Sequence, residues 1–262
     1  MTEAKGYDYG DLLVFQHGPH TGPSALTEVL DARARRRPWR LVDVRGGAAY
    51  PSLDRVRGIV LLGGAMGVHD VAEHPWLEHE LEILGTASAA GIPLFGICLG
   101  AQLLSMVFHG EVARRATPEI ALVPLLRTQA GGKDPVFAGW PDGATALFMH
   151  DDEVTRLPQG AVEMLEGSEG SAAWRAPDGS SYGVQFHPEV EAAQVAAWCQ
   201  REDKRLRFAA AGVDPAAFAT EALRRNRFLR AVGLSLVGRW IDTVVGRDDP
   251  DPKRGRRARP GG

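Results

Sequence analysis

Cys98 is the residue whose type and setting best suit nucleophilic chemistry. It lies between Gly96 and Gly100, after an apolar run typical of a buried strand and before a stretch with helical apolar spacing. Glycines at this spacing allow a sharp turn and a close approach to the backbone. A cysteine at a strand-to-helix turn lies at the positive end of the helix, where the thiolate is favoured. The pattern therefore suits a nucleophile, and it suits a small buried hydrophobic side chain equally well.

A base for this thiol is found in the stretch Tyr182-Gly183-Val184-Gln185-Phe186-His187. Its alternation places Gln185 and His187 on one face of a strand. If the chain stays extended, Glu189 points the same way, where a carboxylate can orient the imidazole and stabilise its protonated form. Spacing by itself favours a plainer interpretation, in which both residues lie at a solvated strand end.

Acyl transfer also requires donors for a developing oxyanion. The backbone N–H of Leu99, first on the helix after Cys98, is one candidate, and the N–H of Gly64 in the Gly63-Gly64 turn is the other. Gln102 follows Cys98 by one helical turn and can hold a polar substrate group. The glycine-containing turn could instead cradle a phosphate, but it matches neither the P-loop nor the dinucleotide fingerprint.

The elements that position these residues alternate between apolar strands and amphipathic helices. Strands are predicted near 12–15, 41–44, 58–62 and 92–97, and helices over 24–37, 73–90 and 99–108. Ser24 is the expected N-cap of the first helix. This order predicts an α/β fold with a mostly parallel sheet, helices on both faces and a site at the C-terminal ends of the strands.

The second half of the chain has shorter strand-like segments separated by turn residues. They lie at 121–126, 144–149, 162–166, 172–175 and 182–187, and they predict a small antiparallel extension. A helix follows over 191–202, and Asp214-Pro215 marks the start of a long one, in which Gly233 is a candidate break. We therefore expect a main domain over 1–202, a C-terminal helical appendage over 203–246 packed on it, and a disordered basic tail over 247–262.

Composition narrows the function classes. A formal net charge of −3 gives no reason to expect nucleic acid as a partner, and no apolar run is long enough to span a membrane. Two cysteines cannot form a disulfide framework, and the N-terminus lacks signal-peptide features, so a cytoplasmic location is expected. His69, His74 and His79 are spaced five apart and do not converge, so no metal site and no cofactor are predicted.

Three separated motifs resemble those of the class I glutamine amidotransferase family. They are Gly63-Gly64, Gly96-Ile97-Cys98-Leu99-Gly100-Ala101-Gln102 and Gln185-Phe186-His187-Pro188-Glu189, and Pro75-Trp76-Leu77 and Pro118-Glu119-Ile120 also fit. The likeness covers residues 12–198 and is greatest to stand-alone proteins similar to the glutaminase domain of GMP synthetase. It implies a flavodoxin-like fold, a Cys98–His187–Glu189 triad, an oxyanion hole from the Gly64 and Leu99 backbone, and a glutamine-holding role for Gln102.

The segment Met149-His150-Asp151-Asp152 departs from the family pattern. The resemblance places His150 and Asp151 at the wall of the substrate site, where the family usually has a small residue after the histidine. An Asp151 carboxylate facing that site would repel a substrate carboxylate, whereas one facing solvent would not. Ala65, where the family usually has proline, is a milder change.

The expected activity is hydrolysis of a γ-glutamyl amide such as glutamine through a Cys98 thioester. No nucleotide-binding domain that could activate an acceptor is recognised in the sequence, so the ammonia would pass to a separate synthase. One alternative is a γ-glutamyl peptidase or hydrolase acting on small peptides or conjugates. The other is a catalytically silent subunit that serves as an interaction module.

Overall fold

A computed structural model describes residues 11–34, 38–46, 50–167 and 169–248. The strands in these ranges are β1 Asp11–Gln16, β2 Trp39–Asp43, β3 Val56–Leu61, β4 Leu94–Ile97, β5 Glu111–Arg127, β6 Ala144–Arg156, β7 Val162–Glu166, β8 Ala173–Arg175 and β9 Tyr182–Val184. The α-helices are α1 Leu26–Arg33, α2 Trp76–Ala89, α3 Leu99–Val107, α4 Ala192–Cys199, α5 Glu202–Ala210 and α6 Pro215–Thr243. No helix in the described part of the chain is both long enough and apolar enough to cross a membrane.

The strands form one sheet in the order β2-β1-β3-β4-β9-β8-β7-β5-β6. The pairs from β2 to β9 are parallel, and the pairs from β9 to β6 are antiparallel. The parallel part has the strand order of a flavodoxin-like sheet. This confirms the predicted α/β fold with an antiparallel extension, and it brings the C-terminal ends of β1, β3, β4 and β9 to one edge.

Hydrophobic layers lie on both faces of the parallel strands, which explains why those strands read as continuous apolar runs. One layer joins Leu26 and Leu30 of α1 to strand residues and to the end of α6. The other joins Leu77 of α2 and Leu103 of α3 to the opposite face. A third cluster packs α4, α5 and the start of α6 against β6. Helices α4 and α5 are thereby held beside the edge where the parallel strands end.

Helix α6 is continuous through Gly233, so the break considered there is wrong. Its N-cap is Asp214, as predicted, and the carboxylate accepts hydrogen bonds from the N–H groups of Ala216 and Ala217 at 2.7 and 3.0 Å. A glycine is required at position 233 because a Cβ there would lie 2.2 Å from the carbonyl oxygen of Pro188. The helix therefore runs directly over the segment that carries His187 and Glu189.

The C-terminal end of α6 belongs to the main hydrophobic core. Trp240 is fully buried, and its ring packs on Phe95 of β4 with centroids 5.4 Å apart. The indole N–H donates to the carbonyl oxygen of Ser180 at 3.2 Å. The main body of the protein therefore uses side chains from this helix to cover its sheet.

Several predicted boundaries need correction. Ser24 is not an N-cap: its φ is +45°, and α1 begins at Leu26 after a turn. The helix expected over 191–202 ends at Cys199, because the backbone of Arg201 is extended and a separate helix begins at Glu202. The strand expected over 121–126 is the end of the longer β5. Residues 35–37 of the first predicted helix and residues 249–262 of the basic tail lie outside the described residues.

Candidate active site

Cys98 occupies a strained turn between β4 and α3. Its φ of +52° and ψ of −107° lie outside the regions that L-residues ordinarily adopt. The turn is tight enough to require both flanking glycines, because a Cβ on Gly96 would lie 2.4 Å from the oxygen of Gly100, and one on Gly100 would lie 2.3 Å from the oxygen of Leu61. The packing therefore imposes this conformation and presents the sulfur at the end of the sheet.

His187 and Glu189 lie together just beyond β9. The imidazole Nδ1 is 2.7 Å from Glu189 Oε1, and both side chains are almost completely buried. The neighbouring backbone is anchored, since the N–H of His187 donates to the oxygen of Leu147 at 2.8 Å and the oxygen of Glu189 accepts from Ala25 at 3.0 Å. Trp198 of α4 meets the imidazole edge-on, 5.6 Å away. The ring is thus fixed on several sides.

His187 and Cys98 face each other across Gly63. A Cβ built on that glycine would lie 3.0 Å from His187 Cε1 and 3.7 Å from Cys98 Cβ. Burial lowers the pKa of His187, but the Glu189 carboxylate and the Cys98 sulfur outweigh it, so this pKa lies well above the usual value. Gln185 also reaches the sulfur, with its Nε2 3.7 Å from Cys98 Sγ. The arrangement favours a protonated imidazole beside the sulfur.

The backbone N–H groups of Gly64 and Leu99 have no hydrogen-bond acceptor among the described residues. Both residues line a small cavity of about 100 Å³ that Cys98 also borders. Free N–H groups beside a nucleophile are suited to a developing oxyanion. Both backbone groups therefore lie beside Cys98 at one cavity, and their role in binding an oxyanion stays a prediction.

Gln102, His150 and Asp151 line the same small cavity. The Gln102 amide nitrogen donates to the backbone carbonyl oxygen of Asp152 at 2.7 Å, so the side chain links α3 to β6. The His150 Nδ1 lies 3.0 Å from that oxygen, and its Nε2 lies 2.8 Å from a carboxylate oxygen of Glu119. Every side chain predicted to contact substrate therefore borders one cavity, although the amide of Gln102 already has a partner.

The carboxylate of Asp151 is paired with arginines. It lies 2.9 Å from Arg207 Nε of α5 and 3.5 Å from Arg114, and its side chain is only 18% exposed. The sequence left two orientations open for Asp151, one facing the substrate site and one facing solvent. Asp151 lines the cavity, as in the first orientation, but its charge is balanced by Arg207, so the expected repulsion of a substrate carboxylate is reduced. Burial raises the pKa of the neighbouring Asp152, which Arg114 opposes and Asp151 reinforces. The cavity wall therefore carries charges of both signs.

A larger cavity of about 300 Å³ lies against His187 and Glu189 and shares Gly64, Met149 and Arg207 with the small one. Helix α5 and the preceding turn contribute Arg201, Lys204 and Arg207 to its wall. These residues were not identified from the sequence, although the spacing of three between Lys204 and Arg207 places those two on one side of a helix.

His17 also lines the large cavity, at the end of β1. It is fully buried with Glu80, their Nε2 and Oε1 atoms are 2.9 Å apart, and its Nδ1 has no partner among the described residues. In the sequence, the feature that could have identified His17 as a site residue is its position directly after the apolar run of β1. In the part of the chain that the structure describes, no group of three or more His, Cys, Asp or Glu side chains is arranged to hold a metal ion.

Comparison with known proteins gives consistent results. Residues 29–197 match the family model described as glutamine amidotransferase class-I. The GMP synthase of Lactococcus lactis is 37% identical over 135 residues, which cover 51% of this chain and 24% of that protein. A subunit of the glutamine-hydrolysing GMP synthase of Methanocaldococcus jannaschii is 34% identical over 137 residues, or 52% of this chain and 65% of that protein. The chain thus aligns with about a quarter of the first protein's length.

A solved structure has the same fold over most of the chain. It is a glutamine amidotransferase from Thermotoga maritima, with a TM-score of 0.77 and 23% sequence identity. The superposition covers 90% of this chain and 99% of that one. The structural likeness therefore includes elements beyond the range of the family model.

Proposed function

Because the chain belongs to the class I glutamine amidotransferase family, we propose that it hydrolyses a γ-glutamyl amide through a thioester on Cys98. The observation that carries this proposal is the buried 2.7 Å contact between His187 and Glu189, with the imidazole facing Cys98 across Gly63. A nucleophile, a base and a group that orients the base are the parts that covalent acyl transfer requires.

In the first half-reaction, the Cys98 sulfur attacks the γ-carbonyl carbon of the substrate. His187 holds the thiol proton as imidazolium, which Glu189 stabilises and orients. The carbonyl oxygen becomes negatively charged and accepts hydrogen bonds from the N–H groups of Gly64 and Leu99. Loss of one such donor typically raises the barrier by about 2.7–4 kcal/mol. This backbone contribution cannot be removed by truncating a side chain.

Collapse of the tetrahedral intermediate breaks the bond between the carbonyl carbon and nitrogen. His187 donates its proton to the departing amine, which is ammonia when the substrate is glutamine. A water molecule, deprotonated by the same imidazole, then attacks the thioester and releases glutamate, while the proton returns to the Cys98 sulfur. The strained turn at Cys98 keeps the sulfur in place through both steps.

The small cavity is the proposed site of the glutamyl group. Arg114 can neutralise its α-carboxylate, and the carboxylates of Asp151 and Asp152 can hold its α-ammonium group. This arrangement resolves the difficulty raised by Asp151, because Arg207 already balances its charge. A zwitterionic head group is therefore compatible with the wall.

The names of the relatives suggest where ammonia would go. The Methanocaldococcus jannaschii protein is one subunit of a glutamine-hydrolysing GMP synthase, which favours ammonia delivery by the present chain to a separate synthase. One observation favours a second candidate, a γ-glutamyl peptidase or hydrolase. The cavity on the His187 side, where the leaving amine must be protonated, measures about 300 Å³ and exceeds what ammonia requires.

The proposal is tested with Cys98→Ala and with Cys199→Ala as a matched control. Glutamate release is measured with glutamine and with a panel of γ-glutamyl amides. The wild type and Cys199→Ala are expected to release glutamate at similar rates, whereas Cys98→Ala is expected to fall to the background rate. If the wild type releases glutamate no faster than Cys98→Ala from every member of the panel, the protein is not such a hydrolase, and the silent interaction subunit becomes the better account.

A further inference from the structure

The larger cavity lies on the leaving-group side of the proposed reaction centre. It borders His187 and Glu189, whereas Cys98, Leu99 and Gln102 border the smaller cavity. The amine must leave on the side of His187, because that imidazole donates its proton. The part of a substrate beyond the scissile nitrogen therefore lies in the larger cavity.

The volume of this cavity suits an amine that is larger than ammonia. Small-molecule pockets begin at about 300 Å³, and the cavity measures about 300 Å³. Its walls combine apolar surface from Met66, Met149 and Trp198 with polar groups from α5. A compact organic group with one polar or charged end fits this distribution.

The charged side chains on the wall of the larger cavity indicate the charge of the polar end of the ligand. Three arginines are already paired, Arg45 with Asp43 at 2.6 Å, Arg201 with Asp203 at 2.8 Å and Arg207 with Asp151 at 2.9 Å. The Lys204 ammonium has no carboxylate within 4.0 Å among the described residues, and the side chain is half-buried. Burial and the adjacent Arg207 lower the pKa of Lys204, whereas the charges of Asp203 and Asp151 raise it by smaller amounts. An unpaired cation at a cavity wall attracts an anionic ligand.

We propose that the preferred substrate is a γ-glutamyl amino acid whose free carboxylate is bound by Lys204 in the larger cavity. The proposal rests on the Cys98 thioester chemistry proposed above, takes the second candidate named there, the γ-glutamyl hydrolase, and specifies its amine portion. Hydrolysis adds one water across the γ-amide bond and yields glutamate and an amino acid. Lys204 contacts the part of the substrate that leaves and takes no part in proton transfer.

The test compares γ-glutamylglycine with γ-glutamylglycinamide, which differ only in the end of the amine portion, a charged carboxylate in the first and a neutral carboxamide of similar size in the second. We measure kcat/KM for both and take their ratio, so that a general loss of activity cancels. The wild type is expected to prefer the free acid by about tenfold or more, the effect of one charge-assisted hydrogen bond. Lys204→Met should reduce the ratio to near one, Lys204→Arg should keep most of the preference, and Lys133→Met, at an exposed lysine outside both cavities, should leave the ratio unchanged.

Thermal melting of each variant confirms that it is folded before the ratio is interpreted. A wild-type ratio near one, a better kcat/KM for glutamine than for γ-glutamylglycine, or an unchanged ratio in Lys204→Met would each overturn the proposal. These results would leave the proposed hydrolase intact if glutamate release still requires Cys98. Release that does not depend on Cys98 would instead refute the hydrolase and, with it, the substrate assignment.

Discussion

Substitution of Gly233 by alanine should disturb the reaction centre from outside it. Gly233 lies on α6, and a Cβ there would be 2.2 Å from the Pro188 oxygen, 2.9 Å from its carbonyl carbon and 3.0 Å from its Cα. An ordinary contact between carbon and oxygen is about 3.3 Å or more, so one of the two backbones must move by about 1 Å. Pro188 separates His187 from Glu189, so a displacement there changes how the carboxylate meets the imidazole.

Gly85→Ala is the matched control, because Gly85 also lies within a helix but a Cβ there meets no atom within 4 Å. Replacing a helical glycine by alanine gains about 1 kcal/mol, and Gly85→Ala should show most of that gain. At Gly233, overpacking costs about 1–3 kcal/mol and offsets the same gain. We therefore expect Gly233→Ala to be less stable than Gly85→Ala by about 1–3 kcal/mol.

Urea denaturation measures the free energies of unfolding, and glutamate release measures kcat. A misplacement of about 1 Å can lower a rate by about 100-fold, so kcat should fall markedly in Gly233→Ala and stay at the wild-type value in Gly85→Ala. If both variants gain the same stability and keep full kcat, then α6 does not position the segment that carries His187 and Glu189.

Three further predictions concern the activity of the proposed base, its effect on stability, and the core. Glu189→Gln should lower the pKa of His187 and move the alkaline limb of the pH profile of kcat/KM to lower pH, whereas Glu191→Gln should not; an unmoved limb would refute this role. The pKa of His187 is raised in the folded protein, so protonation of this imidazole stabilises the fold. The stabilisation is complete below the unfolded pKa of about 6.5 and is lost as the pH rises through the folded pKa. The melting temperatures of Glu189→Gln and of the wild type should therefore differ most at acidic pH. Trp240→Ala should lower the free energy of unfolding by about 3–5 kcal/mol, as measured by denaturation, whereas Phe228→Ala, at an exposed residue of the same helix, should lower it by about 0.5 kcal/mol or less. Equal losses in the two variants would show that α6 is a dispensable appendage.

The features that depend on local sequence pattern could be predicted before the fold was known. The two glycines around Cys98 predicted a strand-to-helix turn, because only residues without a Cβ permit the backbone contacts found there. The alternation that ends at His187 predicted a strand over 182–187 with Glu189 on the same side. Strand β9 ends earlier, at Val184, and the two side chains meet at 2.7 Å in the bend and turn that follow it. The order of strands and helices predicted the fold class, because the apolar periodicity of each element depends only on residues that are close together in the sequence. The catalytic roles assigned to these residues remain predictions.

Tertiary structure alone decided what surrounds those residues. Asp151 pairs with Arg207, which lies 56 positions away on α5, and no local spacing reports a contact of that kind. The same helix places Lys204 at the wall of the larger cavity, and α6 lays Gly233 over Pro188 and inserts Trp240 into the main core. These contacts join residues that are far apart in the sequence, so they form only when whole helices and strands pack together. Burial and charge compensation determine them, and local dihedral preferences do not.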